Sequence, residues 1–343
     1  MTPAMKNNET HEPVWLICPV ALTMTHHDYS LQQMRMMVVV VGKLQGILHD
    51  VLNNRRMAEH NFFRPDELDA GGRLSLKILF KELGVSANHY ARLGESLTAM
   101  SSMPVELPVK RPQGRVYMRF QRLFHVELND SGERVRHAIV SIDQDVARIV
   151  CSLESGYHQI SRDAIFACRN RVSPRLYMLA AAWTGQSRVY ISRTELRNML
   201  GLQTSYPNFS DLMRRVVQPV AGEIKRLADR GLCKCYFEVE NPLEVLHSGR
   251  RRTEVSMLIK KVGVSANDIT QMQRMQMVNI LCRYFKFTPD NANKVVDELK
   301  PDCYQTMMSK LTALYQRMNN DHGIKDRAAY VYRSVQEFLN VQA

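Results

Sequence analysis

The sequence predicts an α+β, mainly helical chain of two tandem winged-helix domains with a C-terminal helical extension. Three observations carry this expectation. A helix–turn–helix pattern with a glycine stop and two following strand-like runs occupies residues 74–142. The order of long helix, short strand, two helices and hairpin recurs over 173–261. Beyond it, apolar residues fall at helical spacing almost to the end of the chain. The expected divisions are a disordered start over 1–12, a first winged helix over 13–160, a second over 161–264, and the helical extension over 265–343.

The elements follow in order. Ser30 and Gln33 form a capping box, and Leu31, Met34, Met37, Val38, Val41, Leu44 and Leu48 recur at helical spacing, so 30–53 reads as one long, mostly buried helix. Residues 55–73, with Pro65 and Gly71-Gly72, read as a loop. Leu79, Phe80 and Leu83 line a short helix stopped by Gly84; Tyr90, Leu93, Leu97 and Met100 line a second, ended by Pro104 and Pro108. Arg115–Val126 and Arg134–Ile142, joined by the turn Asn129–Gly132, predict a wing. A short helix over 143–153 and a connector over 154–170 complete the first half.

In the second half Ser173-Pro174 caps a helix through Leu176, Leu179, Ala180 and Trp183. Val189–Ile191 is a short strand. Ser192 and Glu195 form another capping box, opening a helix that ends at Gly201. A long helix then runs to about Gly231 with Leu212, Val216, Val220, Ile224 and Leu227 on one face. Strands Cys233–Glu240 and Thr253–Lys261 flank the basic turn Ser248–Arg252. In the tail, helices are expected over 268–285, 289–300, 303–319 and 326–341, with a start at Thr288-Pro289-Asp290 and a stop at Pro301. The stripe Tyr304, Met307, Leu311, Leu314, Tyr315 and Met318 suits either a small packed subdomain or a docking site for a partner protein.

Lys and Arg number 46 against 34 Asp and Glu, a net charge of +12 over 343 residues, and the basic residues come in short clusters. Such an excess favours a polyanionic partner, bound on a surface assembled by folding. The seven cysteines are scattered and read as small core residues of a reduced, cytoplasmic protein. The polar start MTPAMKNNETHE predicts no secretory signal, and the longest apolar stretch, Met36–Val41, is too short to span a bilayer, so no membrane association is expected.

Chemistry is conspicuous by its missing parts. No glycine-rich phosphate loop ending in Lys-Ser/Thr occurs, which argues against an ATP-driven motor. His26 and His27 are adjacent, and neighbouring side chains do not readily face one ion, so the pair is expected to be exposed or to position the first long helix. Cys233 and Cys235 lack a second cysteine pair and read as core. The acidic residues do not cluster as a two-metal nuclease requires. No catalytic residue, metal or cofactor is therefore expected.

Double-stranded DNA is the partner the basic clusters suit. Asn208 and Ser210 flank the start of the second long helix, and Arg214 and Arg215 lie opposite its apolar face. Arg250, Arg251 and Arg252 occupy the second wing tip, with Lys260-Lys261 at its end. On the first winged helix, Ser86, Asn88, His89 and Arg92 on the candidate recognition helix, and Lys110, Arg111 and Arg115 at the approach to the wing, suit phosphate contacts more than base reading.

Three stretches carry a resemblance: Leu22–Ile47 around Tyr29-Ser30-Leu31; Val172-Ser173-Pro174-Arg175-Leu176-Tyr177; and, most distinctively, Phe209-Ser210-Asp211-Leu212-Met213-Arg214-Arg215-Val216-Val217-Gln218-Pro219-Val220-Ala221-Gly222-Glu223-Ile224 with a hairpin after it. Over about 22–261 the sequence resembles the initiator proteins of iteron-containing plasmids. The resemblance implies a cytoplasmic replication initiator that binds direct repeats (iterons) in the origin as a monomer and an inverted repeat near its own promoter as a dimer. It also implies help in melting the origin and recruitment of host replication proteins, among them the helicase or host initiator proteins. It assigns base reading to Asp211, Arg214 and Arg215, and backbone contact and dimerisation to the first domain. Met213 stands where relatives can carry a third arginine, and the tail after 261 is longer than the family pattern.

Three other readings compete. A winged-helix repressor without a replication role would lack repeated sites beside its gene. A DNA-nicking enzyme using Tyr29 or Tyr90 would relax supercoiled plasmid. A protein-interaction module would draw on the tail but leave the two basic winged helices unexplained.

Overall fold

The computed structural model describes residues 12–53, 55–56, 62–111, 114–128, 136–240, 254–262, 274, 277–282, 284–299, 303–320 and 327–342. The expected disordered start (residue 12 apart), both wing turns, 129–132 and 248–252, and the beginning of the first tail helix lie outside the described residues. Residues up to 51 and 57–263 form one compact unit; 52–56 and 264–343 form another.

The first unit opens with β1 (Trp15–Pro19) and the short α1 (Val20–Thr23). The Ser30 and Gln33 capping box then forms reciprocally, Gln33 Oε1 accepting from the Ser30 amide at 2.8 Å and Ser30 Oγ from the Gln33 amide at 3.4 Å. It starts α2 (Leu31–Lys43), in which Met34, Met36, Met37 and Val38–Val41 are all buried. Burial on every side explains four consecutive valines in a helix. Each costs roughly 0.5 kcal/mol of helix propensity, against about 1.5–3 kcal/mol for burying its side chain. The helix expected over 30–53 divides at Leu44 into α2 and α3 (Gln45–Leu52). At the break, the Gln45 side chain exchanges two 2.9 Å bonds with the Ile17 backbone and donates to the Val41 carbonyl, satisfying β1 on that side.

The first winged helix differs from its expected form in three ways. Leu74, Leu76 and Ile78 alternate with Ser75 and Lys77 and form β2 (Arg73–Leu79), leaving only a 3-10 turn at Phe80–Leu83 for the first helix of the motif; Gly84 stops it in the left-handed region as expected. α4 (Tyr90–Thr98) follows. The chain then makes an unexpected ribbon, β3 (Val105–Arg111) paired with β4 (Gly114–Phe120). Pro108 sits inside β3 opposite Tyr117, tolerable because a two-stranded ribbon has free edges. The strand expected over 115–126 thus breaks after Phe120, where Leu123 and Phe124 turn into the core, and resumes as β5 (His125–Leu128). β6 (His137–Asp143) pairs with β5 and, on its other side, with β2, giving the order β2-β6-β5.

α5 (Gln144–Cys151) matches the expected short helix. The connector expected after it holds β7 (Tyr157–Ser161), antiparallel to β1, and α6 (Arg162–Ala167). α7 (Val172–Ala182) is capped by Asn170, not by Ser173-Pro174: Asn170 Oδ1 accepts from the amides of Val172 and Ser173 at 2.9 and 3.0 Å.

The second winged helix follows its expectation closely. β8 (Arg188–Ser192) leads into α8 (Arg193–Leu200), capped by Ser192 Oγ on the Glu195 amide and stopped by Gly201 in the left-handed region. A helical run then spans α9 (Phe209–Leu212), a π-turn (Met213–Val217) and α10 (Gln218–Asp229). Pro219 has no N–H to return to the Arg215 carbonyl, and the widened turn, with Gln218 N bonded to Met213 O, absorbs the defect. β9 (Cys235–Val239) and β10 (Glu254–Lys261) complete a sheet of order β8-β10-β9. In both winged helices the strand preceding the helix–turn–helix pairs with the returning strand of the wing, so the repeat read as a pattern is a repeat of topology.

The second unit is helical. Thr288 caps Pro289–Glu298 through the Asn291 amide, and helices Tyr304–Asn320 and Arg327–Gln342 follow near their expected bounds. Met277, Leu281, Phe285, Val295, Met307 and Val331 belong to its own core, and Tyr304 Oη donates to the Val296 carbonyl at 3.1 Å.

Candidate nucleic-acid interface

The run 209–229 buries Leu212, Val216, Val217, Val220, Ile224 and Leu227 and presents its other face outward. Its entry is held by arginines of α8. Arg197 donates to the carbonyls of Tyr206 and Pro207, and the Arg193 guanidinium lies 4.1 Å over the Phe209 ring. The chain before the helix is therefore fixed by side chains.

Asn208 and Ser210 are exposed at the helix start, and the Asn208 side chain makes no cap hydrogen bond. Arg214 and Arg215, with side chains 71% and 64% exposed, both reach back to Asp211, at 3.1 and 3.5 Å. Exposed pairs of this kind contribute little stability, about 0–1 kcal/mol. They do hold two guanidinium groups near the start of the exposed face, with donors left over for an acceptor. Gln218, Lys225 and Arg226 continue this exposed side; sequence reasoning missed them, although Gln218 stands one helical turn from Arg214 and Arg215, and Lys225 and Arg226 two turns beyond Gln218. Met213 is buried, on the opposite side from its two arginine neighbours. Lys260 and Lys261 are exposed at the end of β10, Lys260 lying 4.0 Å from Glu238 on β9. Arg250, Arg251 and Arg252 lie outside the described residues.

On the first winged helix Ser86, Asn88, His89 and Arg92 are all exposed, on the 3-10 turn Ala87–His89 and the start of α4. Lys110 and Arg111 are not on the approach to the wing. They end β3, paired with Arg115 and Gly114 of β4.

Groups weighed for chemistry are placed differently. Tyr29 is buried, and burial pushes its hydroxyl pKa well up. Tyr90 packs edge-on against Phe80. His26 and His27 are buried, so of the two expected placements, exposed or positioning the first long helix, the exposed one is overturned. His26 stacks on Tyr117, and His27 stacks on Tyr29 while accepting from the Tyr29 amide. Burial, with Arg175 nearby, holds His27 well below the usual imidazole range. Cys233 and Cys235 are buried, as expected of core residues. Among the described residues no group of His, Cys, Asp and Glu is arranged to hold a metal, and no helix is long and apolar enough to cross a membrane.

Residues 17–181 match the family model described as initiator replication protein, WH1, and residues 192–232 match that described as initiator Rep protein, WH2. The second match begins at Ser192, the last residue of β8, runs through α8 and the recognition run and ends before β9, and the C-terminal helices lie outside both. No curated protein matches the chain.

Proposed function

From the premise that the chain belongs to the initiator replication protein family, plasmid replication initiators with winged-helix DNA binding, we propose that it reads origin iterons through the 209–229 run. The observation that carries this reading is the pair Arg214 and Arg215, exposed on a helix whose other face and entry are both anchored. Arginine forks match the O6 and N7 edge of guanine in the major groove. Asp211 orients both guanidinium groups, and Asn208, Ser210 and the free amides of the helix start suit a phosphate.

The first winged helix supplies phosphate contacts from Ser86, Asn88, His89 and Arg92, which position the protein without reading sequence. Lys110 and Arg111, and the wing residues Arg250, Arg251 and Arg252, add basic groups on the ribbon and the wing. Binding at repeated sites strains and opens the origin through binding energy rather than bond-making. Host helicase or initiator proteins are recruited there, and a dimer on the promoter inverted repeat represses the protein's own gene. The buried Tyr29 supports a non-enzymatic initiator, since a nucleophile must reach the phosphodiester.

Selection from a random duplex library tests the base-reading assignment. The wild-type chain enriches one short motif, and Arg214→Ala enriches a motif altered at one or two positions. The same motif from both proteins removes Arg214 from base reading.

A further inference from the structure

The segment Thr23–Asp28 of the first winged helix meets the helix–turn–helix of the second along a closely fitted seam. Arg175 on α7 stands at its centre, 3% exposed. Its Nη1 donates to the Thr23 carbonyl at 3.0 Å and its Nη2 to the Thr25 carbonyl at 2.5 Å. From the same guanidinium, Nε and Nη2 donate to the Met199 carbonyl of α8 at 3.1 and 2.9 Å. No carboxylate pairs with Arg175 among the described residues. A buried cation of this kind is stable only when its donors are placed. Thr23 and Met199 lie in the last turns of α1 and α8, where carbonyls lack helical partners and favour a cation.

The rest of the seam agrees. Glu106 and Glu195 approach the two ring nitrogens of His26 at 3.0 and 3.5 Å, one carboxylate from each winged helix. Arg171 pairs with Asp28 and donates to the Gly201 carbonyl at 3.4 Å. Gly201 fits so closely that a Cβ there would lie 2.7 Å from the His27 carbonyl oxygen. α8 passes any shift directly to the recognition run, because Arg197 ties it to Tyr206 and Pro207 at the run's entry.

We propose that Arg175 is a positioning residue for DNA recognition. By holding carbonyls of both winged helices on one guanidinium, it fixes the recognition run relative to the first winged helix. The protein then accepts only DNA whose two contacted stretches lie at one spacing and helical phase. All three acceptors are backbone, so no side-chain change at 23, 25 or 199 removes them; the seam's specificity resides in Arg175. The inference rests on the reading that both winged helices touch DNA.

The test uses the full chain and a duplex selected by it from a random library. Hydroxyl-radical protection marks the two contacted stretches, and inserting about 5 base pairs between them turns one by roughly half a helical turn. Wild-type protein should lose about tenfold or more in affinity, as several phosphate contacts go out of reach. Arg175→Met and Gly201→Ala should bind the original duplex more weakly yet show an insertion penalty below roughly threefold, since the contacts no longer share one frame. The penalty is a ratio within one protein, so a globally unfolded fraction cancels from it, and protection of both stretches of the original duplex by each variant shows that both winged helices remain folded. Gly231→Ala is the matched control: Gly231 has a φ of +74° but open space around it, so the variant carries a similar backbone strain without touching the seam and should keep the wild-type penalty. Should Arg175→Met not fold, Gly201→Ala carries the test. A wild-type protein indifferent to the insertion overturns the proposal while leaving DNA binding intact. A full penalty in the folded seam variants removes Arg175 and its seam from that role. Protection of no duplex at all instead removes the reading on which the inference rests.

Discussion

Ser173 donates its hydroxyl proton to Glu223, joining the start of α7 to the buried side of the recognition run. The same carboxylate accepts from the Arg169 amide at 2.9 Å and from Asn170 Nδ2 at 3.3 Å, so a buried glutamate holds a helix start whose amides favour negative charge. Glu223→Ala orphans these donors and should destabilise the first unit by about 1–3 kcal/mol. Glu223→Gln, which keeps the acceptor, should cost less. Urea denaturation of both variants measures the difference; equal losses would show that the volume, not the carboxylate, matters.

Arginines on helix and wing should separate in DNA binding. Arg214→Ala should cost roughly 1–3 kcal/mol on the selected duplex and little on a scrambled one. Arg251→Ala should weaken all duplexes alike and lower the slope of log affinity against log salt by about 1. Titrations at several salt concentrations distinguish them, and a loss confined to the selected duplex in Arg251→Ala would contradict its assignment to the backbone.

Acid should weaken the fold through its buried histidines. Burial lowers His158 from 6.5 to about 3, and His27 lies well below 6.5. Below pH 6.5 the unfolded chain takes up protons at these positions that the folded chain refuses. Stability is therefore lost as pH falls, by up to about 1.4 kcal/mol per pH unit for each imidazole. His158→Gln should flatten the decline between pH 7 and 5. A slope equal to the wild type's would remove His158 as a contributor.

The seven thiols should divide by burial. Cys18, Cys151, Cys168, Cys233 and Cys235 are buried, whereas Cys282 and Cys303 are partly exposed. Burial raises Cys18, Cys233 and Cys235 to about 12, so little reactive thiolate forms at neutral pH. A maleimide pulse on native protein should label Cys282 and Cys303 first, read by mass spectrometry. Rapid labelling of Cys233 or Cys235 would contradict the core assignment.

Much of the second winged helix was legible because its signals are local. Ser192, Gly201 and the apolar stripe Leu212–Leu227 each act within a turn or two of their own position. The first winged helix was legible in its helices and less so in its strands. Pro108 reads as a breaker but occupies an edge of a ribbon, and β1 pairs with the distant β7, Trp15 standing opposite Ser161, a partner no local pattern names. The exposed residues Asn208, Ser210, Arg214 and Arg215 could be placed from helical phase. Arg175, Glu223 and His27 could not, because a charged or titratable residue read alone predicts a surface. Only the packed seam shows the carbonyls and amides that let these groups be buried.

Footprinting of the purified protein on DNA surrounding its own gene tests the central claim most directly. The account predicts protection of several evenly spaced repeats, about one or two helical turns apart. Protection of a single promoter palindrome, or of no site, would contradict an initiator that reads iterons.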